Sequence, residues 1–449
     1  MTDNKPKNTH NNKQRPDNKT PKNGARYVAA RALQDVLEKQ TPLDVALTGQ
    51  ALFSQLEQRD RAFARLILAT ALRRLGQIDI VLSPFINKEP PPYVKAVLRT
   101  GAAQMLFLET PAYAVVGASV ALLKRSKKTV RAAGMANAVL RRVSEQGQTL
   151  LAKTRPLDNI PKWLADDWGK AYGEAAVRQI AQILTQDPPL DITIKDENFD
   201  LAEPLEAQIL PGGTLRRGRA GAVPQLPGFK DGSWWVQDVS AALPVRLLGD
   251  VKGQRVLDMC AAPGGKTMQL AAGGADVYAV DKSEARLWRV DENLARTGLT
   301  AKTFAADGAR WRDPDFPNGG GFDAVLLDAP CSATGTFRRR PDVLQVKTDQ
   351  GVQNMMRVQE KLLLAAARHV KPGGTLIYCT CSLQTREGEL QISKFTKNRS
   401  DFRLNSILDK DIFSLSEAIT PQGCVRILPH FMRDLGGMDG FFIARFTRC

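Results

Sequence analysis

The sequence predicts a doubly wound, mostly parallel α/β sheet in its C-terminal half, preceded by an all-α bundle and joined to it by a small α+β element. Three observations carry this reading. From about residue 250, short apolar runs alternate with helical patterns: Arg255 to Met259, Val277 to Val280, Lys302 to Ala305, Ala324 to Leu327 and Thr375 to Tyr378. That order builds a parallel sheet covered on both faces. The first of these strands runs into a Pro263-Gly264-Gly265 break and a helix near Thr267, a tight turn at the strand end where such sheets hold ligands. Before residue 148, apolar side chains recur at helical spacing instead.

With 449 residues, 43% of them hydrophobic, the chain can bury two to four domain cores. No apolar run approaches the ~18 to 20 residues of a membrane span, and the N-terminus lacks the apolar centre of a signal peptide. The six cysteines, Cys260, Cys331, Cys379, Cys381, Cys424 and Cys449, lack the density of a disulfide framework, so a cytoplasmic protein is expected.

The net charge of +16 is unevenly distributed. Residues 1 to 150 hold 24 Lys and Arg against 11 Asp and Glu, leaving the remainder nearly neutral. A basic module that grips a polyanion, attached to one that does chemistry, explains this; a surface charged only for solubility is the alternative. Residues 1 to 24 carry no apolar cluster and read as a flexible basic tail. Over 25 to 148 the helices follow in order. Val28, Leu33, Val36 and Leu37 make one stripe, and Phe63, Leu66, Ile67, Ala71 and Leu75 a second. A helix opened by Pro90-Pro91-Pro92 carries Val94, Val97, Leu98 and Met105, and two more span about Val115 to Leu123 and Ala132 to Val143. The polar sides of the last two bear Lys124, Arg125, Lys127, Lys128, Arg131, Arg141 and Arg142, a candidate phosphate-tracking face for RNA.

Residues 149 to 240 form the joining element, a second candidate RNA-binding region. Ile160 to Leu164 anchors a helix running to about Leu184, Leu190 to Ile194 alternates like a strand, and the basic turn Leu215-Arg216-Arg217-Gly218-Arg219 is a candidate lining for an RNA channel. Trp234 and Trp235 read as packing before stacking platforms. The catalytic unit spans 241 to 449 and ends in a strand from Asp439 to Phe446.

The turn after the first strand reads Cys260-Ala261-Ala262-Pro263-Gly264-Gly265-Lys266. A triphosphate-binding loop needs Gly five residues before Gly265, where Cys260 stands, and the dinucleotide pattern of three glycines is absent. A smaller nucleoside cofactor remains. The second strand closes with Asp281, which can accept both ribose hydroxyls. S-adenosylmethionine, with a ribose and no phosphate, fits; a structural turn or another nucleotide remains open.

Two thiol sites stand at strand ends on that same edge: Asp328-Ala329-Pro330-Cys331-Ser332 and Cys379-Thr380-Cys381-Ser382. A thiol has a use when the methyl acceptor is carbon 5 of a pyrimidine, a poor nucleophile. A thiolate adding to carbon 6 makes carbon 5 enamine-like, and after methyl transfer a base removes the carbon 5 proton and the thiol leaves. An unperturbed Cys titrates near about 8.5, so the site must favour the anion. Buried packing is the competing reading for Cys260 and Cys379. A zinc site is disfavoured because the spacing is not Cys-x-x-Cys and only three His occur. In a strand Cys379 and Cys381 point the same way, so direction does not choose between them.

Asp258 to Thr267, Asp-Ala-Pro-Cys-Ser-Ala-Thr-Gly at 328 to 335, and Tyr-Cys-Thr-Cys-Ser-Leu at 378 to 383 resemble the motifs of RNA cytosine-5 methyltransferases of the Sun/Fmu and nucleolar Nop2 type, over about residues 155 to 449. The helical part, with Asn137-Ala138-Val139-Leu140-Arg141-Arg142, is similar to the NusB-like RNA-binding domain fused to this core in bacterial relatives. The resemblance implies a Rossmann-like methyltransferase fold, S-adenosylmethionine as methyl donor, and a cytosine of small-subunit ribosomal RNA, met before subunit assembly, as acceptor. A monomer with no metal and no membrane partner is expected. Cys381 would add to carbon 6 and Cys331 assist product release. Residues 260 to 266 would hold the methionine end, Asp281 the ribose and Asp307 the adenine amine, with Asp328 between cofactor and cytosine. Arg338, Arg339, Arg340 and Lys347 would meet phosphates beside the flipped base. Relatives often carry His where Arg340 stands, and Arg and Asn in the strand here reading Leu190 to Thr193, departures that touch RNA contacts and not the chemistry. The other readings are the same reaction on transfer RNA or another ribosomal site, and a noncatalytic RNA-binding assembly factor, for which two crevice thiols have no use.

Overall fold

The computed structural model describes residues 23–196, 199–218, 221–413 and 415–449. The expected tail lies almost wholly outside them, as does Arg219 of the basic turn. Seven helices form the N-terminal bundle: α1 (Gly24–Lys39), α2 (Leu43–Thr48), α3 (Gln58–Arg73), α4 (Leu75–Leu82), α5 (Pro92–Phe107), α6 (Ala112–Lys124) and α7 (Ala133–Leu151). The stripes read from the sequence meet in one core, where Val28, Leu33, Val36, Ile67, Ala71, Val97 and Leu98 are inaccessible to solvent. The second stripe is shorter than expected. Leu66 is exposed, and Leu75 begins a new helix because the backbone at Arg74 leaves helical geometry.

The joining element contributes α8 (Lys162–Tyr172), α9 (Glu174–Leu184) and strands β1 (Leu190–Ile194), β2 (Ala207–Ile209), β3 (Leu215–Arg217) and β4 (Trp234–Val236), ordered β2-β3-β1-β4 in an antiparallel sheet. Trp234 seals that sheet's own cluster with Leu190, Ile192 and Leu215, so both tryptophans pack, Trp235 being equally buried. Helices α8 and α9 do not form a separate unit. Leu164, Trp168, Val177 and Ile180 share a core with Val256, Ala324 and Ile377 of the large sheet.

The catalytic half runs α10 (Val239–Arg246), β5 (Arg255–Met259), α11 (Gly265–Ala272), β6 (Asp276–Asp281), α12 (Glu284–Thr297), β7 (Lys302–Ala305), β8 (Phe322–Asp328), α13 (Val343–Val346), α14 (Asp349–His369), β9 (Val370–Thr380), α15 (Glu389–Asn398), β10 (Phe402–Asn405), β11 (Val425–Ile427) and β12 (Phe441–Arg448). The order is β10-β12-β9-β8-β5-β6-β7, with β11 also on β12; β5 to β9 pair in parallel, and β10 to β12 add antiparallel pairings at one side. Alternate residues face opposite layers: Val256, Val277 and Ile377 face α8 to α11, whereas Leu257, Tyr278 and Leu376 face α14 and α15. The order in which strands are added reverses between the parallel neighbours β5 and β8, which is where doubly wound sheets open a ligand crevice. The loops after both strands carry the cofactor and Cys331 motifs.

Contacts from the bundle reach both the joining element, at Asp187, and the C-terminal half, at Arg338 and Asp342. Arg73 pairs with Asp187 at 2.9 Å and donates to the Arg338 carbonyl at 3.0 Å, and Asp342 accepts from the Leu43 N–H at 3.1 Å. Among the described residues no helix is long and apolar enough to cross a membrane.

Candidate active site

The cofactor loop is held by its neighbours before any ligand arrives. The N–H groups of Cys260 and Ala261 donate to the Val280 carbonyl, which turns the chain sharply with Cys260 at φ 64°. Gly264, at φ 100°, then lets the loop pass over α12; a Cβ there would come within 3.1 Å of Val290. Asp281 accepts from the N–H groups of Ala262 (3.1 Å) and Ser283 (2.9 Å), one on each oxygen, leaving lone pairs for further donors.

Below this loop lies a cavity of about 440 Å³ lined by Asp258, Gly265, Lys266, Asp328, Cys381 and Phe441, among others. Lys266 bridges to Asp328 at 2.7 Å, its ammonium 5.2 Å from the centre of the Phe441 ring. Burial works against that charge, but Asp328 more than offsets it and the lysine is held well above its ordinary range. Asp258 is fully buried. One oxygen accepts from Thr267 Oγ1 at 2.6 Å, and the other has no partner among the described residues. Burial pushes its carboxyl up to about 7. A buried acceptor with an open lone pair suits an ammonium donor, and Asp281 can take ribose hydroxyls. The residues present therefore fit S-adenosylmethionine, whose methionine end carries an ammonium.

Strand register assembles the thiols. Asp328 of β8 pairs with Cys379 of β9, so Cys381 falls just beyond the strand end. Cys379 is inaccessible, with its sulfur 3.7 Å from Asp328 Oδ1, and burial raises its thiol well above the ordinary range. Cys381 lines the cavity. Direction alone left these two cysteines equivalent, and depth separates them. Cys331 Sγ lies 3.5 Å from Cys381 Sγ; that hydrogen bond, together with burial, holds the Cys331 thiol protonated. Cys260 packs against the core around Met259, and burial raises its thiol too.

Asp307 stands after β7, exposed, accepting from the Ala309 N–H at 3.1 Å, and does not line the cavity. Lys124, Arg125, Lys127, Lys128, Arg131, Arg141 and Arg142 are all exposed, and among the described residues none forms an ion pair. Arg340 is exposed and Lys347 half-buried.

Two arginines expected at phosphates are committed elsewhere. Arg338 is 1% exposed, paired with Asp238 at 3.6 Å and Asp439 at 3.4 Å. Arg339 pairs with Asp238 at 2.8 Å and reaches Asp191 and Asp439. Arg216 of the basic turn is likewise buried, gripping both oxygens of Asp191 at 2.7 Å. The reason is electrostatic: three carboxylates buried together need counterions within the protein. Sequence reasoning missed Asp258 and Asp439 as cavity residues. The signals for Asp258 were its place near the end of the strand leading into the loop and at the head of the motif run Asp258 to Thr267.

A model of the family described as 16S rRNA methyltransferase RsmB/F matches residues 245–447, and a NusB family model matches residues 23–145. The chain is 33% identical over 447 residues to ribosomal RNA small subunit methyltransferase B of Erwinia tasmaniensis, covering 94% of this chain and 98% of that protein. It is 37% identical over 396 residues to the protein of that name from Xanthomonas campestris, covering 84% and 88%. A solved methyltransferase homologue from Pyrococcus horikoshii superposes with a TM-score of 0.52 at 25% identity, over 64% of this chain and 95% of that one. A helical NusB-like unit joined to a sheet whose crevice fits S-adenosylmethionine, with relatives matching nearly end to end, places this chain in the ribosomal RNA small subunit methyltransferase B family.

Proposed function

We propose that this protein methylates carbon 5 of a cytosine in small-subunit ribosomal RNA, through a covalent bond between Cys381 and carbon 6. It acts as a monomer in the cytoplasm on RNA not yet assembled into the subunit. The observation that carries this reading is that Cys381 lines the same cavity as Lys266 and Asp328, with the Cys331 sulfur 3.5 Å from its own. Amine or hydroxyl methylation has no use for that pair.

S-adenosylmethionine, when bound, supplies an electrophilic methyl group. Asp258 and the loop 260–266 hold its methionine end, Asp281 its ribose and Asp307 its adenine amine. Cys381, as thiolate, forms the bond to carbon 6, and the electrons of the 5,6 double bond pass to carbon 5, which takes up the methyl. The carbon 5 proton then leaves to a base in the cavity, where Asp328 and Asp439 are lining carboxylates. The pair left behind restores the double bond and expels the Cys381 sulfur. Cys331, a protonated thiol at hydrogen-bonding distance, stabilises that sulfur as it departs. The exposed basic surface around the α6–α7 connection and Arg340 grip phosphates.

Bisulfite sequencing of RNA from cells lacking the protein, complemented with wild type or Cys381→Ala, tests this. One small-subunit ribosomal cytosine should lose its mark and regain it only with wild type. Loss from transfer RNA alone moves the substrate; no change at any cytosine overturns the reading.

A further inference from the structure

Glu387 is a fully buried carboxylate just beyond the Cys381 loop. It accepts from both cysteine loops at once. Oε1 takes the Ser332 N–H at 2.9 Å, while Oε2 takes the hydroxyls of Ser332 and of Ser382, the latter at 2.5 Å. Ser332 directly follows Cys331, and Ser382 directly follows Cys381. Gln359 of α14 also donates to Oε1 at 2.9 Å, its own carbonyl oriented by Gln391. Tyr378 Oη holds the Glu387 carbonyl at 2.8 Å.

Resting on the covalent reading above, we propose that Glu387 is a positioning residue that clasps the two cysteine loops and keeps the Cys331 thiol against the Cys381 sulfur. A carboxylate accepts only, so each of the four donors pulls its loop toward one buried point. Charge-assisted bonds of this kind are short and directional. The same negative charge helps keep Cys331 protonated, which suits the hydrogen-bond donor that release requires. Glu387 lies outside the lining of the cofactor cavity, so its loss should weaken release before it weakens methyl transfer.

The test uses full-length Glu387→Gln and Ser332→Ala with S-adenosylmethionine and a small-subunit ribosomal RNA transcript. Glu387→Gln keeps the volume but replaces an acceptor with a donor facing the serine hydroxyls. Steady-state turnover should fall about tenfold or more, single-turnover methyl transfer should stay within about threefold of wild type, and a detergent-resistant enzyme–RNA complex should accumulate. Ser332→Ala should act in the same direction more weakly, and decides the matter if Glu387→Gln does not fold. Wild-type turnover with no complex, or methyl transfer and complex lost together in both variants, overturns the clasp. If Cys331→Ala traps the complex while the clasp variants do not, the clasp alone falls. If Cys331→Ala also traps nothing, the covalent reading falls and takes the clasp with it.

Discussion

The sulfurs of Cys331 and Cys381 meet at 3.5 Å across fifty residues of chain, one at the end of β8 and the other at the end of β9. Removing either should break a different step. Cys381→Ala should reduce turnover by about a thousandfold or more and form no covalent RNA complex, whereas Cys331→Ala should accumulate one. Gel electrophoresis of denatured enzyme with labelled RNA reads both. Accumulation in Cys381→Ala would reverse the assignment.

Asp258 makes donor binding depend on pH. Its carboxyl is raised to about 7 by burial, and only the anion pairs with an ammonium. Affinity for S-adenosylhomocysteine should fall as pH drops below about 7, by up to roughly tenfold per unit, and Asp258→Asn should bind weakly with no such dependence. Calorimetric titration between pH 5.5 and 8.5 checks this. In the ligand-free protein the sign is opposite. A carboxyl raised above its unfolded value favours the fold below about 4, and that contribution is lost as pH rises through 7.

The exposed basic surface around the α6–α7 connection predicts a salt effect separable from chemistry. Substituting Lys124, Lys127 and Lys128 by Ala should weaken RNA binding and lower the slope of log affinity against log salt by roughly 0.7 to 0.9 per lost phosphate contact. The maximal rate at saturating RNA should not change. An unaltered slope would return these lysines to the role of solubility charge.

Arg338 and Arg340 are two residues apart and should behave oppositely. Arg338→Ala leaves Asp238 and Asp439 short of a buried counterion and should cost about 3 to 5 kcal/mol of stability, read as a lowered Tm. Arg340→Ala, exposed, should leave Tm nearly unchanged and weaken RNA binding. A stable Arg338→Ala protein with an RNA defect would restore the original expectation.

The sequence by itself determined the architecture and the sheet edge on which the candidate site residues gather. Strand and helix periodicity is local, so β5 to β9 and most of the helical stripes were legible, though not their ends, as was the Pro263-Gly264-Gly265 turn, whose backbone demands are intrinsic. Only the tertiary structure decided depth and partnership. By strand alternation Cys379 and Cys381 share a direction, yet one is sealed against Asp328 within β9 and the other stands just beyond the strand and opens on the cavity. Arg338, Arg339 and Arg216 read as cations free for phosphate, yet they neutralise Asp191, Asp238 and Asp439, which are 47 to 248 residues apart in the chain and adjoin only when the two sheets pack. Glu387 carried no spacing signal because its partners come from three separate elements. Periodicity records which side of a strand faces inward; how much protein lies above it, and whose charge it meets there, depends on contacts that no local window contains.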